Sequence, residues 1–189
     1  MELDYDMWSF THGIVATAAG SAYVESKTHK VLCTVSSPSE FTDLSSTEEY
    51  QRHAQAQLSI QSPFSSILKS ALSSLIMLEK YPKSLIEVKV QVLTGDEKEA
   101  LVFVVNAASL ALLDSGIELK DTLIAANAGL TQGNIVSGVN QMIVGYLVNL
   151  DRISLLEMNC SLTEAETEVL LHACVDTAKQ MFEVVKNNY

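Results

Sequence analysis

The sequence predicts one α+β domain over residues 1–189, with antiparallel or mixed sheets and about three main helices. Three observations predict it. Apolar and polar residues alternate in short stretches, most clearly Ile86, Val88 and Val90 against Glu87, Lys89 and Gln91. That is the period of a strand with one wet face. Elsewhere apolar residues recur at three- and four-residue spacing, as at Phe64, Ile67, Leu68, Ala71, Leu72, Leu75 and Ile76, the period of an amphipathic helix. Strand-type segments precede helix-type segments more than once, without a strict internal repeat.

The chain opens in β. Gly20–Ser26 and Lys30–Ser36 read as strands around a polar turn at Lys27–Thr28–His29. In the second, Val31, Cys33 and Val35 alternate with Leu32 and Thr34, nearly all strand formers, so both faces are expected to be covered. Ser37–His53 is polar and acidic and reads as a loop or weakly ordered arm. Ala54–Gln61 alternates with period two. Ser62 suits a helix N-cap and Pro63 the first helical position, and the helix they open runs until Pro82. Leu85–Leu93 is a strand. Asp96 with Glu99 resembles a capping box for a second helix reaching about Ser115. That helix is apolar nearly all round (Leu101, Val104, Val105, Ala108 and Leu110 through Leu113), so it belongs in a core or an interface. Gly116 is its natural C-cap. Short strands fill Thr122–Met158. A last helix starts near Ser161, with Glu164 as capping-box partner and an inner stripe of Leu170, Ala173, Cys174, Thr177, Ala178, Met181, Phe182 and Val185.

Composition bounds what such a domain does. With 189 residues, 48% of them hydrophobic, the chain buries roughly 70% of the surface its unfolded form exposes, and needs neither disulfides nor a metal to fold. Its formal net charge is −11, from 12 Lys+Arg against 23 Asp+Glu, and only Arg52 and Arg152 are arginines. Nucleic-acid affinity draws heavily on Lys and Arg neutralising phosphates. The balance therefore disfavours a lone RNA-binding enzyme and fits a polar, soluble surface, or a subunit whose basic partners touch RNA. Cys33, Cys160 and Cys174 lack metal-type spacing, and Cys174 is expected in the core. The opening MELDYDMWSF has no apolar run of the secretory kind, so a reducing, intracellular compartment is expected. Thr122–Leu150 carries no charge, but polar residues and glycines interrupt it. It reads as strands and turns rather than a membrane span.

Little in the chain announces chemistry. No two of His12, His29, His53 and His172 stand at metal-ligand spacing, and each is expected to serve a surface or a core. Nucleophile-elbow, Walker, dinucleotide and zincin motifs are absent from the sequence, and no cofactor is expected. Gly129–Gly133 reads as a turn. Asp114 ends the buried helix, where an acid opposes the helix dipole. A compensating partner is expected there.

Three stretches carry a likeness. GSAYVESKTHKVLCTVSSP (Gly20–Pro38) resembles the N-terminal strand pair of RNase PH-like proteins. VNAASLALLDSGIELKD (Val105–Asp121) resembles their central helix and the strand after it. LDRISLLEMN (Leu150–Asn159), with the helix following, resembles their last strand and final helix. Within the family, LEKYPKSLIEV (Leu78–Val88) is similar to the mRNA-transport-regulator type of eukaryotic exosome ring subunit. The resemblance implies an RNase PH-like fold of the ribosomal protein S5 domain 2 type, with two βαβα-type halves. It implies pairing with other RNase PH-like exosome subunits in a hexameric ring, S1/KH cap subunits as neighbours, RNA threading the assembled channel, and a nuclear, nucleolar and cytoplasmic location.

Active members cleave RNA 3′ to 5′ with inorganic phosphate, and the chain departs from their pattern at each chemical position. They carry Gly-Thr-Arg entering the central helix. Alignment on Asp114 puts Glu99–Ala100–Leu101 there, and an apolar Leu101 neither binds phosphate nor stabilises developing charge. Their arginines on the preceding helix correspond to Ser66, Ser70 and Ser73, with only Lys69 nearby. Their aspartates after the central helix fall in Thr122–Leu150, which has no carboxylate. Phosphoryl transfer rests on positioning and charge neutralisation, so a structural, non-catalytic ring subunit is expected, with Lys69 and Lys98 as RNA contacts. The alternatives are an active phosphate-dependent 3′–5′ exoribonuclease, or a small-molecule enzyme on an unrelated α+β fold.

Overall fold

The computed structural model describes residues 8–40, 56–131, 134–137, 139 and 141–188. The elements are β1 (Ser9–His12), β2 (Gly20–Glu25), β3 (Lys30–Val35), β4 (Ser39–Glu40), β5 (Gln57–Gln61), α1 (Ser65–Leu75), a 3-10 turn at Leu78–Lys80, β6 (Ser84–Thr94), a 3-10 turn at Glu97–Glu99, α2 (Leu101–Asp114), β7 (Leu123–Thr131), β8 (Asn134–Ser137), β9 (Met142–Leu147), β10 (Arg152–Met158) and α3 (Glu164–Asn188).

They form two sheets with a helix between. In the first sheet β1, β2, β3 and β6 are antiparallel neighbours in that order. β5 runs parallel to β6, with α1 as the crossover that a parallel pair requires. Leu85 pairs with both Ser39 and Gln57, so β4 and β5 flank opposite edges of β6. The second sheet is wholly antiparallel in the order β10-β9-β7-β8. α2 meets β2 and β3 on one side and β7 on the other. That position accounts for its sequence: every residue from Leu101 to Leu112 is buried. α3 covers the outer face of the second sheet over β7 and β9, seating Leu170 and Cys174 against Ala128, Met142 and Val144.

The α+β class, the mixed sheets and the three helices agree with the sequence. The halves are unequal, however. The β-α-β-α order occurs once, as β5-α1-β6-α2, whereas the second half is four antiparallel strands closed by α3 alone. β1 adds a strand the sequence pattern did not signal. Of the expected arm at Ser37–His53, Ser39–Glu40 forms β4 and residues 41–53 lie outside the described set, as do Ala54 and Gln55 of the predicted strand before Gln61.

Helix ends moved for identifiable reasons. Ser62 does not cap α1. Its Oγ accepts the Phe64 N–H at 3.2 Å, closing a turn that delays the helix to Ser65. α1 stops at Leu75, well before Pro82, because Ile76 turns extended and bridges to Leu119. Asp96 and Glu99 frame a 3-10 turn, with Glu99 N–H on the Asp96 carbonyl at 3.1 Å, and α2 starts without a side-chain cap. The last capping box is Thr163 with Glu166 rather than Ser161 with Glu164. Thr163 N–H donates to the Glu166 carboxylate at 2.8 Å, and Glu166 N–H reaches Thr163 Oγ1 at 3.4 Å. The Thr163 hydroxyl, which donates to the same carboxylate at 2.7 Å, and then the Thr163 N–H hold the Glu166 carboxyl below its ordinary value.

Gly20 and Gly116 have separate structural causes. A Cβ on Gly20 would lie 2.3 Å from the Ala111 carbonyl oxygen, so only glycine lets β2 approach the end of α2. Gly116 sits at φ +70°, the left-handed cap conformation predicted for it.

Cys33 and Cys174 are buried and Cys160 is exposed. Burial pushes both core thiols up, Cys174 to about 12. Native protein should therefore react at Cys160 alone with a thiolate-selective alkylating agent, and at all three after denaturation. Mass mapping of modified peptides checks this, and rapid native labelling of Cys33 would contradict the packing of β3 against α2.

Candidate functional site

The resemblance leads chemistry to be expected at the N-terminal end of α2, the adjoining turn Glu97–Glu99, α1 and the strands after α2. A helix N-terminus attracts anions because its first N–H groups lack intrahelical partners. Here that advantage is cancelled by what surrounds it. Ala100 is fully buried and Leu101 is 2% exposed, with its side chain in the core. Glu97 and Glu99 stand in the turn just before it. Phe103, one helical step on, is sandwiched: its ring centroid lies 4.4 Å from Trp8 and 4.6 Å from His29, both nearly parallel to it. The helix start is thus fixed by apolar and aromatic packing, with Glu97, Lys98 and Glu99 in the turn before it.

His29, expected in a polar turn, is one of the buried polar residues. Its Nε2 donates to the Asp96 carbonyl at 3.3 Å, and its Nδ1 bonds Thr28 Oγ1 at 2.8 Å. The imidazole packs so closely that a Cβ on Gly95 would lie 2.3 Å from its ring. This histidine joins β3 to the turn before α2. Among the described residues no three His, Cys, Asp or Glu side chains converge as a metal cluster would.

The expected RNA contacts stand on different elements. Lys69 is exposed on α1 beside a shallow hollow lined by Gln57, Ser59, Ile60, Ser65 and Ser66. Ser66 and Ser70 are exposed on the same helix and Ser73 is half-buried. Lys98 belongs to the turn before α2, and its side chain lies outside the described set.

Asp114 resolves as a structural acid. Its carboxylate accepts Ser21 N–H at 2.9 Å and Gly13 N–H at 3.2 Å, and meets His12 Nδ1 at 3.2 Å. These donors offset its unfavourable place at the helix C-terminus and lock the β1–β2 connection onto α2.

Three polar positions were missed by the sequence reading, and all serve assembly of the second sheet. Asn106, buried in α2, donates Nδ2 to the Ala125 carbonyl at 2.9 Å and accepts Ala125 N–H at 2.8 Å. Ser109 Oγ, one turn on, accepts Leu123 N–H at 3.2 Å. β8 pairs with β7 only from Ala128 onward. These two side chains thus bond part of the β7 edge that, among the described residues, faces no strand. Buried Asp121 accepts Asn149 N–H at 2.9 Å, Leu150 N–H at 2.8 Å and Thr122 N–H at 2.6 Å, fixing the turn between β9 and β10. The available signal was a lone Asn and Ser inside an otherwise apolar helix.

Residues 7–118 match the 3′ exoribonuclease family, domain 1. The exosome complex component Rrp41 of Cenarchaeum symbiosum is 30% identical over 203 residues, covering 93% of this chain and 82% of that protein. Among solved structures, rice Rrp46 superposes with a TM-score of 0.77 at 20% identity, over 96% of this chain and 93% of that one. An Archaeoglobus fulgidus exosome with RNA bound to the active site superposes at 0.70 and 15% identity, over 94% and 87%. These matches set aside an unrelated α+β fold. A chain with this two-sheet frame around one buried helix, matched over residues 7–118, belongs to the 3′ exoribonuclease, RNase PH-like, family.

Proposed function

We propose that this chain is a non-catalytic subunit of an exosome-type ring, supporting 3′–5′ RNA processing and degradation by helping to build the channel through which RNA passes. One observation carries the reading: Leu101, where active members place the phosphate-binding arginine, is buried in the core. The aligned Glu99–Ala100–Leu101 brings neither cation nor hydroxyl to that place. Removing phosphate clamps and acids together leaves a phosphoryl-transfer transition state without charge neutralisation. The retained fold then serves association. Its partners in this reading are other RNase PH-like subunits paired in the ring, S1/KH cap subunits on one face, and RNA touched by Lys69 and Lys98. Its location is the nucleus and nucleolus, and also the cytoplasm. The likeness of Leu78–Val88 supports the mRNA-transport-regulator position within that ring.

A second reading, an active phosphate-dependent exoribonuclease, draws on the family's description and on the likeness to the Rrp41 relatives. One experiment separates the two. The purified chain, alone and co-expressed with a second RNase PH-like subunit, is incubated with single-stranded RNA, inorganic phosphate and divalent cation. The expected result is a stable complex and no nucleoside diphosphate assignable to this chain. Phosphate-dependent release of nucleoside diphosphates by the chain alone would overturn the non-catalytic reading.

A further inference from the structure

β1 is the edge strand of the first sheet, and among the described residues it pairs with β2 alone. A ladder of four residues is marginal by itself. Ser9, Thr11 and His12 are exposed and Phe10 is half-buried. The strand is held at its two ends. Trp8 lies flat on Phe103 in the first turn of α2, with ring centroids 4.4 Å apart and planes 20° apart. At the far end of α2, the Asp114 carboxylate takes Gly13 N–H at 3.2 Å and meets His12 Nδ1 at 3.2 Å. The lengths agree. Phe103 to Asp114 rises about 17 Å along the helix, and Trp8 to Gly13 spans about 17 Å of extended chain. Alternation along the strand puts Trp8, Phe10 and His12 on the side turned to α2 and the core. β1 is therefore a strap laid along the central helix and fastened at both of the helix ends.

The fastening at the helix start continues into the turn before it. His29 also stacks on Phe103, with planes 15° apart. Its Nε2 donates to the Asp96 carbonyl at 3.3 Å, and the same carbonyl accepts Glu99 N–H at 3.1 Å. Ala100 N–H follows on the Glu97 carbonyl at 3.2 Å. One path of contacts thus runs from Trp8 through Phe103 and His29 to the hydrogen bonds that shape the turn. Gly95, which joins β6 to this turn, has φ +107°, and the seat of the imidazole leaves no room for a Cβ there. The conformation of the turn and the position of His29 are one arrangement. A close-packed ring held on two faces shifts when either neighbour leaves, and passes that shift on.

We propose that β1 is a releasable strap, and that its release and the loosening of the Asp96–Glu99 turn form a single local opening. When Trp8 lifts, Phe103 keeps one stacked face instead of two. His29 then loses its fixed seat, and the Asp96 carbonyl loses one of these two donors. The ladder of β2, β3 and β6 and the whole second sheet stay closed, because their pairing uses neither Trp8 nor His29. The open form presents two surfaces together: the edge of β2 that β1 had paired, which is a template for another strand, and the start of α2. The closed form covers both, so the strap governs exposure of this end of the protein. None of this requires the ring reading.

Native-state hydrogen exchange on the purified full chain tests it. At low denaturant the amides of β1 and those of Glu99 and Ala100 should exchange through one opening with a common denaturant dependence, about tenfold or more faster than the amides of the β7–β9 ladder. Trp8→Ala should speed exchange of that same set by about tenfold and leave the β7–β9 amides unchanged, while Trp8→Phe should keep most of the protection. Coupling is reciprocal, so His29→Ala should raise acrylamide quenching of Trp8, the single tryptophan of the chain. Should either alanine variant fail to fold, the shared opening in the parent chain decides. Separate openings for β1 and for Glu99–Ala100 would overturn the inference. So would a Trp8→Ala effect that is absent, confined to β1, or spread evenly over all amides.

Discussion

Leu101→Arg, which writes the active family's arginine back into the start of the central helix, is expected to destabilise the protein by about 4 kcal/mol or more and to create no phosphorolysis. Leu101 is 2% exposed within the core that both sheets share with α2. A guanidinium there would replace apolar contacts with an unpaired charge in a medium that solvates it poorly. The nearby acids, Glu97 and Glu99, belong to the turn outside the helix, and the arginine would have to leave the core to reach them. Denaturant midpoints and soluble yield measure the first effect, and nucleoside diphosphate release measures the second. A soluble, fully folded variant with phosphate-dependent activity would show that an anion site persists at the helix start, and the claim that phosphate clamps and acids are missing together would fall.

Asn106→Ala should lower stability by about 3 kcal/mol, more than most single substitutions in the sheets. The amide makes two hydrogen bonds to one residue, donating to the Ala125 carbonyl and accepting its N–H. Alanine would leave both backbone groups buried and unpaired, on an edge where no strand among the described residues pairs at that position. Because Ser109 supports Leu123 a turn away, Ser109→Ala should be milder and the double variant worse than the sum if the two bonds act together. Hydrogen exchange offers a local check, since the Ala125 amide should lose protection before the ladder between β7 and β9. A variant as stable as the parent would mean that β7 is held by its strand neighbours alone.

The two expectations draw on different kinds of legibility. Glu99–Ala100–Leu101 was readable as a departure because the residues themselves offer neither a cation nor a hydroxyl, whatever surrounds them. The role of Asn106 was not readable, because its partner, Ala125, is brought beside it only when β7 packs on α2. Asp114 lies between these cases. Its position at a helix C-terminus called for compensation, and the structure supplied it from Ser21, Gly13 and His12, about a hundred residues away in sequence. His29 stands in the turn read from the sequence, and of the surface and core roles expected for it the structure selects the core. Stacking on Phe103 withdrew it from water.

By itself the sequence determined the class of the fold, the course of most strands and the burial of α2 on every side. All of these follow from side-chain polarity and its period along the chain. Tertiary structure alone decided where α1 stops, which residues cap α3, how the β7 edge is satisfied, and what holds β1 on α2. Each of those depends on contacts that form only when the chain has folded, and local pattern does not record them.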